Sequence, residues 1–150
     1  MNAVTASVCF TLVTALLLGA GAAVDGGVVT LEVLRQQLER LPRDRVDAPA
    51  GGPVPASPAV TLAQTAVRLA NGEQLDGLLR SKNPAVRALV AREIIRTRPQ
   101  EVTRVKVLLK DAARIWLASG NDVGPTAPRR LTVGALVALE LRVSGLTVAP

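Results

Sequence analysis

The stretch LLRSKNPAVRALVAREIIRTRPQ, from Leu78 to Gln100, decides the fold, because it joins a helix start to a dense set of cations. Asn83 is a favourable N-cap residue, and Pro84 suits the first position of a helix. Pro99 disfavours helical geometry in the residue before it, so the helix is expected to end near Thr97. Its cations are either a solvated coat on a packed helix or a surface for an anionic partner.

Residues 83–94, NPAVRALVAREI, resemble one helix of a HEAT-like repeat, in which a capping residue and Pro precede Val-Arg and a run of small and aliphatic residues. The matching positions are Pro84, Val86, Arg87, Ala88 and Ala91. A short helix predicted from Glu73 to about Ser81 would be the first helix of this repeat, which spans about residues 73–97. The resemblance implies a fragment of an α-solenoid, which offers a surface rather than a reaction centre.

The chain after Pro99 is predicted to continue as a helix from Gln100 to about Ala118. Apolar residues share one face of this helix, and Lys106, Lys110 and Arg114 line the other at i, i+4, i+8 spacing. The tail, residues 131–148, has apolar residues at alternate positions, as in a strand, but its Ala, Leu and Glu favour a helix. Helix is preferred because a lone strand needs partners. The fold class predicted is therefore all-α: a short array of HEAT-like hairpins, with β character possible in the tail.

The N-terminal part of the chain divides into three segments before the helical domain, which is predicted to span residues 61–150 and to begin with a helix at Thr61. Residues 1–23 form a hydrophobic leader. Residues 24–41 contain an amphipathic helix with leucines at positions 31, 34, 38 and 41, and Thr30 is its expected N-cap. Residues 42–60 are rich in Pro and Gly and are expected to form an extended linker.

The leader is expected to act as a signal peptide or a membrane anchor. Its apolar core, from Val8 to Leu18, has the length of a signal-peptide h-region, and the small residues 19–23 suit cleavage by signal peptidase. No Lys or Arg precedes this core, which departs from the usual signal peptide and keeps the anchor alternative open. The protein is therefore predicted to be secreted or periplasmic, or else tethered to a membrane.

Missing residue types exclude most catalytic chemistry. The chain has no His and no Tyr, and its single cysteine, Cys9, lies in the leader. These absences exclude Ser-His-Asp and Cys-His sites, the usual zinc ligand sets and an intramolecular disulfide. Asp and Glu are scattered rather than paired, so no catalytic residue, metal site or cofactor is predicted. We expect a protein without enzymatic activity.

Positive charge is concentrated between Arg80 and Arg114. This stretch contains ten Lys or Arg residues and three Asp or Glu residues, an excess of +7 in a chain whose net charge is +6. Such a cluster attracts acidic proteins or phosphates. The residues predicted to form a contact face are Arg80, Arg87, Lys106, Lys110 and Arg114. The leading hypothesis is a protein-interaction module with an acidic partner protein. The alternatives are attachment to an anionic membrane surface or to nucleic acid, and a structural subunit of a larger assembly; predicted export and few aromatic residues disfavour nucleic acid.

Overall fold

The computed structural model of the chain describes residues 29–47, 56–118 and 129–147. In chain order these residues form α1 (Leu31–Glu39), β1 (Arg45–Asp47), α2 (Pro58–Leu69), α3 (Gly72–Leu79), α4 (Pro84–Thr97), a 3-10 helix (Pro99–Leu108), β2 (Arg114–Ala118), β3 (Arg129–Thr132) and α5 (Val133–Val143). The structure is mostly helical, as predicted, but a three-stranded sheet shows that the fold is not purely α-helical.

Helix α4 lies at the centre of the molecule. It packs against α2, α3, α5 and the 3-10 helix, and ten of its fourteen residues are buried. Asn83 caps it, as predicted: the Asn83 Oδ1 accepts a hydrogen bond from the Ala85 N–H at 3.0 Å, and Pro84 fills the first turn. The hydrophobic core around α4 consists of Leu, Val, Ile and Ala side chains.

Helices α1 and α2 begin at side-chain caps. Thr30 accepts a hydrogen bond from the Val33 N–H, which confirms it as the cap of α1, and α1 buries Leu34 and Leu38 in the core. Helix α2 begins at Pro58, three residues before the predicted start at Thr61, because Ser57 caps it.

The stretch 42–60, predicted as a linker, contains β1 and the start of α2. Residues 48–55 lie outside the described residues, as does the predicted leader, residues 1–23. None of the helices in residues 29–47, 56–118 and 129–147 is long and apolar enough to cross a membrane.

The predicted helix from Gln100 to Ala118 is wrong. The structure has a 3-10 helix as far as Leu108 and then β2. Asp111 makes the break between them, because its Oδ1 accepts a hydrogen bond from the Ala113 N–H at 2.9 Å and so holds a turn. The sequence RIWLA that follows, Arg114–Ala118, contains Ile115 and Trp116, which favour strands, and it has partner strands on both sides.

The sheet has the order β1-β2-β3, in which β1 runs parallel to β2 and β3 runs antiparallel to it. Its inner face buries Val46 and Ile115 in the core. The tail combines both of its predicted characters: β3 ends at Thr132, and α5 continues from Val133, with Thr132 as its N-cap. Gly134 lets α5 approach the end of the 3-10 helix closely, because a Cβ atom there would lie 2.5 Å from the Leu109 carbonyl oxygen.

Candidate functional site: the outward face of the sheet

Several of the clustered cations bind other parts of the same chain. Arg98 Nη1 donates to the carbonyls of Val67 and Ala70, at 3.0 and 2.8 Å, where α2 ends. Arg104 pairs with Asp76 at 2.8 Å and also with Glu101. These guanidinium groups connect the 3-10 segment to α2 and α3, so they are committed to the fold rather than to an outside anion.

Arg87, one of the predicted contact residues, also points inward. Its Nε donates to Asp111 Oδ2 at 2.7 Å, and its Nη1 donates to the Ser81 carbonyl at the same distance. The Ser81 carbonyl belongs to the turn between α3 and α4, and Asp111 belongs to the turn before β2. Arg87 therefore holds these two turns together.

The other predicted contact residues are exposed. Arg80 lies at the C-terminal end of α3, Lys106 and Lys110 lie in and just after the 3-10 helix, and Arg114 begins β2. Among the described residues no Asp or Glu forms an ion pair with any of these four cations. These four cations are therefore available to bind an anionic partner. Arg114, however, lies on a strand instead of the predicted helix, so its side chain belongs to a face of the sheet.

That surface is the outward face of the sheet, which we define by Arg45, Arg114, Trp116 and Arg130. The register pairs Trp116 with Arg45 on one side and with Arg130 on the other, so the three side chains form a row across the sheet. Arg114 lies two residues before Trp116 and therefore points to the same face. The sheet thus gathers three cations and one aromatic ring from three distant parts of the chain.

Trp116 is the centre of this face. It remains 39% exposed, so a partner can reach the ring. The Arg130 guanidinium carbon lies 5.5 Å from the ring centroid, which is cation–π geometry. The Arg45 side chain is 65% exposed and lies 3.5 Å from Asp47, which is the one carboxylate paired with this face among the described residues. The face is consequently cationic, with an aromatic ring at its middle.

The chemistry of this face suits contact with a carboxylate-bearing surface. Guanidinium groups match carboxylates in a two-point geometry, and their weak hydration makes them less costly to bury in an interface than Lys. Trp and Arg are also the residue types that most often dominate binding energy in protein interfaces.

Sequence reasoning missed three of the four residues of this face. Arg45 fell in the predicted linker, Trp116 fell on the inner side of a predicted helix, and Arg130 was not considered. The sequence does carry a local signal, since Ile115 and Trp116 favour strands. The row itself depends on pairing between residues that are far apart in the chain, which local patterns do not reveal.

A second unusual group is the buried pair Arg92 and Glu93 in α4. Each is 1% exposed, and Arg92 Nη2 donates to the Asp47 carbonyl at 2.8 Å. Arg92 Nε and Nη1 and Glu93 Oε1 have no hydrogen-bond partner among the described residues. Burial lowers the pKa of Arg92 and raises the pKa of Glu93, because each charged form is costly away from water. Glu140 opposes the shift of Arg92, and Arg92 followed by Arg96 opposes the shift of Glu93. Through its hydrogen bond to the Asp47 carbonyl, Arg92 links α4 to β1.

In the part of the chain that the structure describes, no group of three or more Asp, Glu, His or Cys residues is placed to hold a metal ion. Comparison with protein-family models finds no match, and comparison with curated protein sequences finds none either. The resemblance of residues 73–97 to a HEAT-like repeat therefore stays a prediction.

Proposed function

We propose that this protein is a non-enzymatic interaction module that binds an acidic partner protein through the outward face of its sheet. The observation that supports this most is the row of Arg45, Trp116 and Arg130, to which Arg114 adds a further exposed cation. Only Asp47 offsets their charge in the described residues. The compartment of the module, exported or tethered to a membrane, is proposed from the leader alone.

A protein partner fits this face better than nucleic acid. Proteins that bind single strands stack successive bases on several aromatic side chains, but this face carries one ring, already covered on one side by Arg130. An anionic membrane would select a broad cationic surface, whereas here the guanidinium groups are gathered around a single ring. Nucleic acid and anionic lipid are nevertheless the competitors that an experiment has to separate.

Trp116 is the single tryptophan of the chain, so its fluorescence reports directly on the proposed face. We expect poly-glutamate to change the Trp116 emission with a saturable, salt-sensitive dependence. Oligothymidylate and phosphatidylglycerol vesicles serve as the competing probes under the same conditions. No response to poly-glutamate, or tighter binding of either competing probe, would contradict the proposal.

The matched control for this titration changes charge without touching the sheet. Arg35 and Arg68 are exposed cations on α1 and α2. The double variant Arg35→Glu/Arg68→Glu should bind poly-glutamate within about threefold of the unchanged protein, because neither residue belongs to the sheet and salt screens exposed charges that lie outside the contact. A loss as large as that caused by changes on the face would mean that net charge alone drives the binding.

A further inference from the structure

We propose that the partner contributes an extended acidic segment that joins the sheet as a fourth strand along the free edge of β3. This inference rests on the proposed function, and it specifies how the outward face of the sheet is engaged. An added strand gains main-chain hydrogen bonds from the edge and specificity from alternate side chains. The edge and the cations of β3 meet both requirements.

Because β2 lies in the middle of the sheet, β3 is an edge strand in the described structure. The Val133 N–H donates to the Ala113 carbonyl at 2.9 Å, so Val133 directs its main chain toward β2. In an antiparallel ladder, residues whose N–H and C=O face the neighbouring strand alternate with residues whose groups face away from it. Since Val133 faces β2, so do Leu131 and Arg129, which the register pairs with Ile115 and Leu117. It follows that the N–H and C=O of Arg130 point away from β2, toward the edge of β3 that no described strand occupies.

The other edge strand, β1, is a poorer template for strand addition. It has three residues, and its last carbonyl, that of Asp47, already accepts a hydrogen bond from Arg92 Nη2 at 2.8 Å. Occupied main-chain groups of this kind are one way in which proteins protect sheet edges. Among the described residues no comparable side-chain hydrogen bond engages the main chain of Arg130.

Charge complementarity identifies the occupant as acidic. Arg129 and Arg130 are both exposed on β3, and the Arg130 side chain lies over Trp116 on the outward face. A strand paired with Arg130 would place every second side chain on that same face. Glu or Asp at those positions would therefore contact Arg130 while the main chains pair. Since α5 begins at Val133, the pairing is limited to a short segment.

Two substitutions of Arg130 distinguish a contact made by its main chain from a contact made by its side chain. Arg130→Pro removes an N–H that points away from β2, and an edge strand tolerates proline at such a position. Arg130→Ala removes the same guanidinium but keeps the N–H. With a short peptide of alternating Glu and Val as the probe, Trp116 emission should show that Arg130→Pro binds about fivefold more weakly than Arg130→Ala. Equal affinities of two folded variants would overturn strand addition.

Amide hydrogen exchange in the unchanged protein gives a test that does not depend on the folding of the proline variant. The Arg130 amide should exchange markedly more slowly when the Glu-Val peptide is bound. The same peptide can be N-methylated at every second amide in two ways, at the odd or at the even positions. One of these peptides should lose binding, because its methyl groups block the amides that pair with β3, and the other should keep it. An Arg130 amide that exchanges at the same rate with and without peptide would overturn strand addition.

The failure of this inference can be told apart from failure of the proposed function. If poly-glutamate binds and charge reversal on the face weakens it, but the Arg130 amide is not protected or the Glu-Val peptide does not bind, the face is the contact surface and the fourth strand is wrong. If no acidic probe changes Trp116 emission, both proposals are wrong.

Discussion

At the residue scale, Asn83 connects two parts of the chain with one side chain. It is 0% exposed; its Oδ1 caps α4, and its Nδ2 donates to the Leu41 carbonyl at 2.9 Å. Asn71 caps α3 in a similar way but is exposed and makes no such second contact among the described residues. The sequence was sufficient to predict Asn83 as a cap, but not its contact with Leu41, which depends on how α1 packs.

We expect Asn83→Ala to lower the free energy of unfolding by about 2 to 3 kcal/mol, because it removes a cap and leaves a carbonyl without its partner. Asn71→Ala, the matched control, should cost about 1 kcal/mol, the usual value of an exposed cap. Urea unfolding monitored by circular dichroism measures both values. Equal losses for the two variants would show that the Leu41 contact adds nothing.

Glu93 should make stability depend on pH. Burial raises its pKa above the usual carboxyl value, while Arg92 and Arg96 oppose the shift. The folded protein therefore holds the proton more tightly than the unfolded chain, so stability falls as pH rises from the usual carboxyl pKa through the raised one. Glu93→Gln stays uncharged, and its free energy of unfolding relative to the unchanged protein should rise over that pH range and then level off. Urea unfolding at several pH values would contradict this if the difference were constant or fell.

At the scale of elements, the starts of the helices followed local signals, whereas the strands needed distant partners in addition to their local signal. The start of α4 is marked by Asn83-Pro84 and the start of α1 by Thr30. Each signal lies within a few residues of sequence, so both helix starts were predictable. Strand β2 forms because β1 and β3 lie beside it, and these partners come from residues 45–47 and 129–132. Helical periodicity depends on residues that are close in sequence and cannot reveal pairing between distant segments. The predicted helix through Trp116 was wrong for this reason.

Two glycines within helices provide opposite predictions at this scale. Gly77 in α3 has no atom within 4 Å of the place where a Cβ would lie, so Gly77→Ala should raise the free energy of unfolding by about 0.5 to 1 kcal/mol. Gly134 in α5 meets the carbonyls of Leu108 and Leu109, so Gly134→Ala should lower it by about 1 to 3 kcal/mol. Thermal and urea unfolding measure both changes; a stabilising Gly134→Ala would show that α5 is free to move away from the 3-10 helix.

At the scale of the whole molecule, the sequence indicated a single cluster of cations, and the fold divides it. Arg87, Arg98 and Arg104 connect neighbouring elements, and Arg92 is buried, while Arg80, Lys106, Lys110 and Arg114 are exposed. The sequence showed the excess of positive charge, but not which cations are exposed. Their exposure depends on which carbonyls and carboxylates the fold brings near each guanidinium. The sheet adds Arg45 and Arg130 to Arg114 around Trp116.

The most direct test of the account compares two double charge reversals that change the net charge equally. Arg114→Glu/Arg130→Glu alters the outward face of the sheet, and Lys106→Glu/Lys110→Glu alters the exposed cations around the 3-10 helix. We predict that the first weakens poly-glutamate binding, followed by Trp116 emission, more than about tenfold, and the second less than about threefold. Equal losses, or a larger loss for the second variant, would contradict the assignment of the contact surface to the sheet.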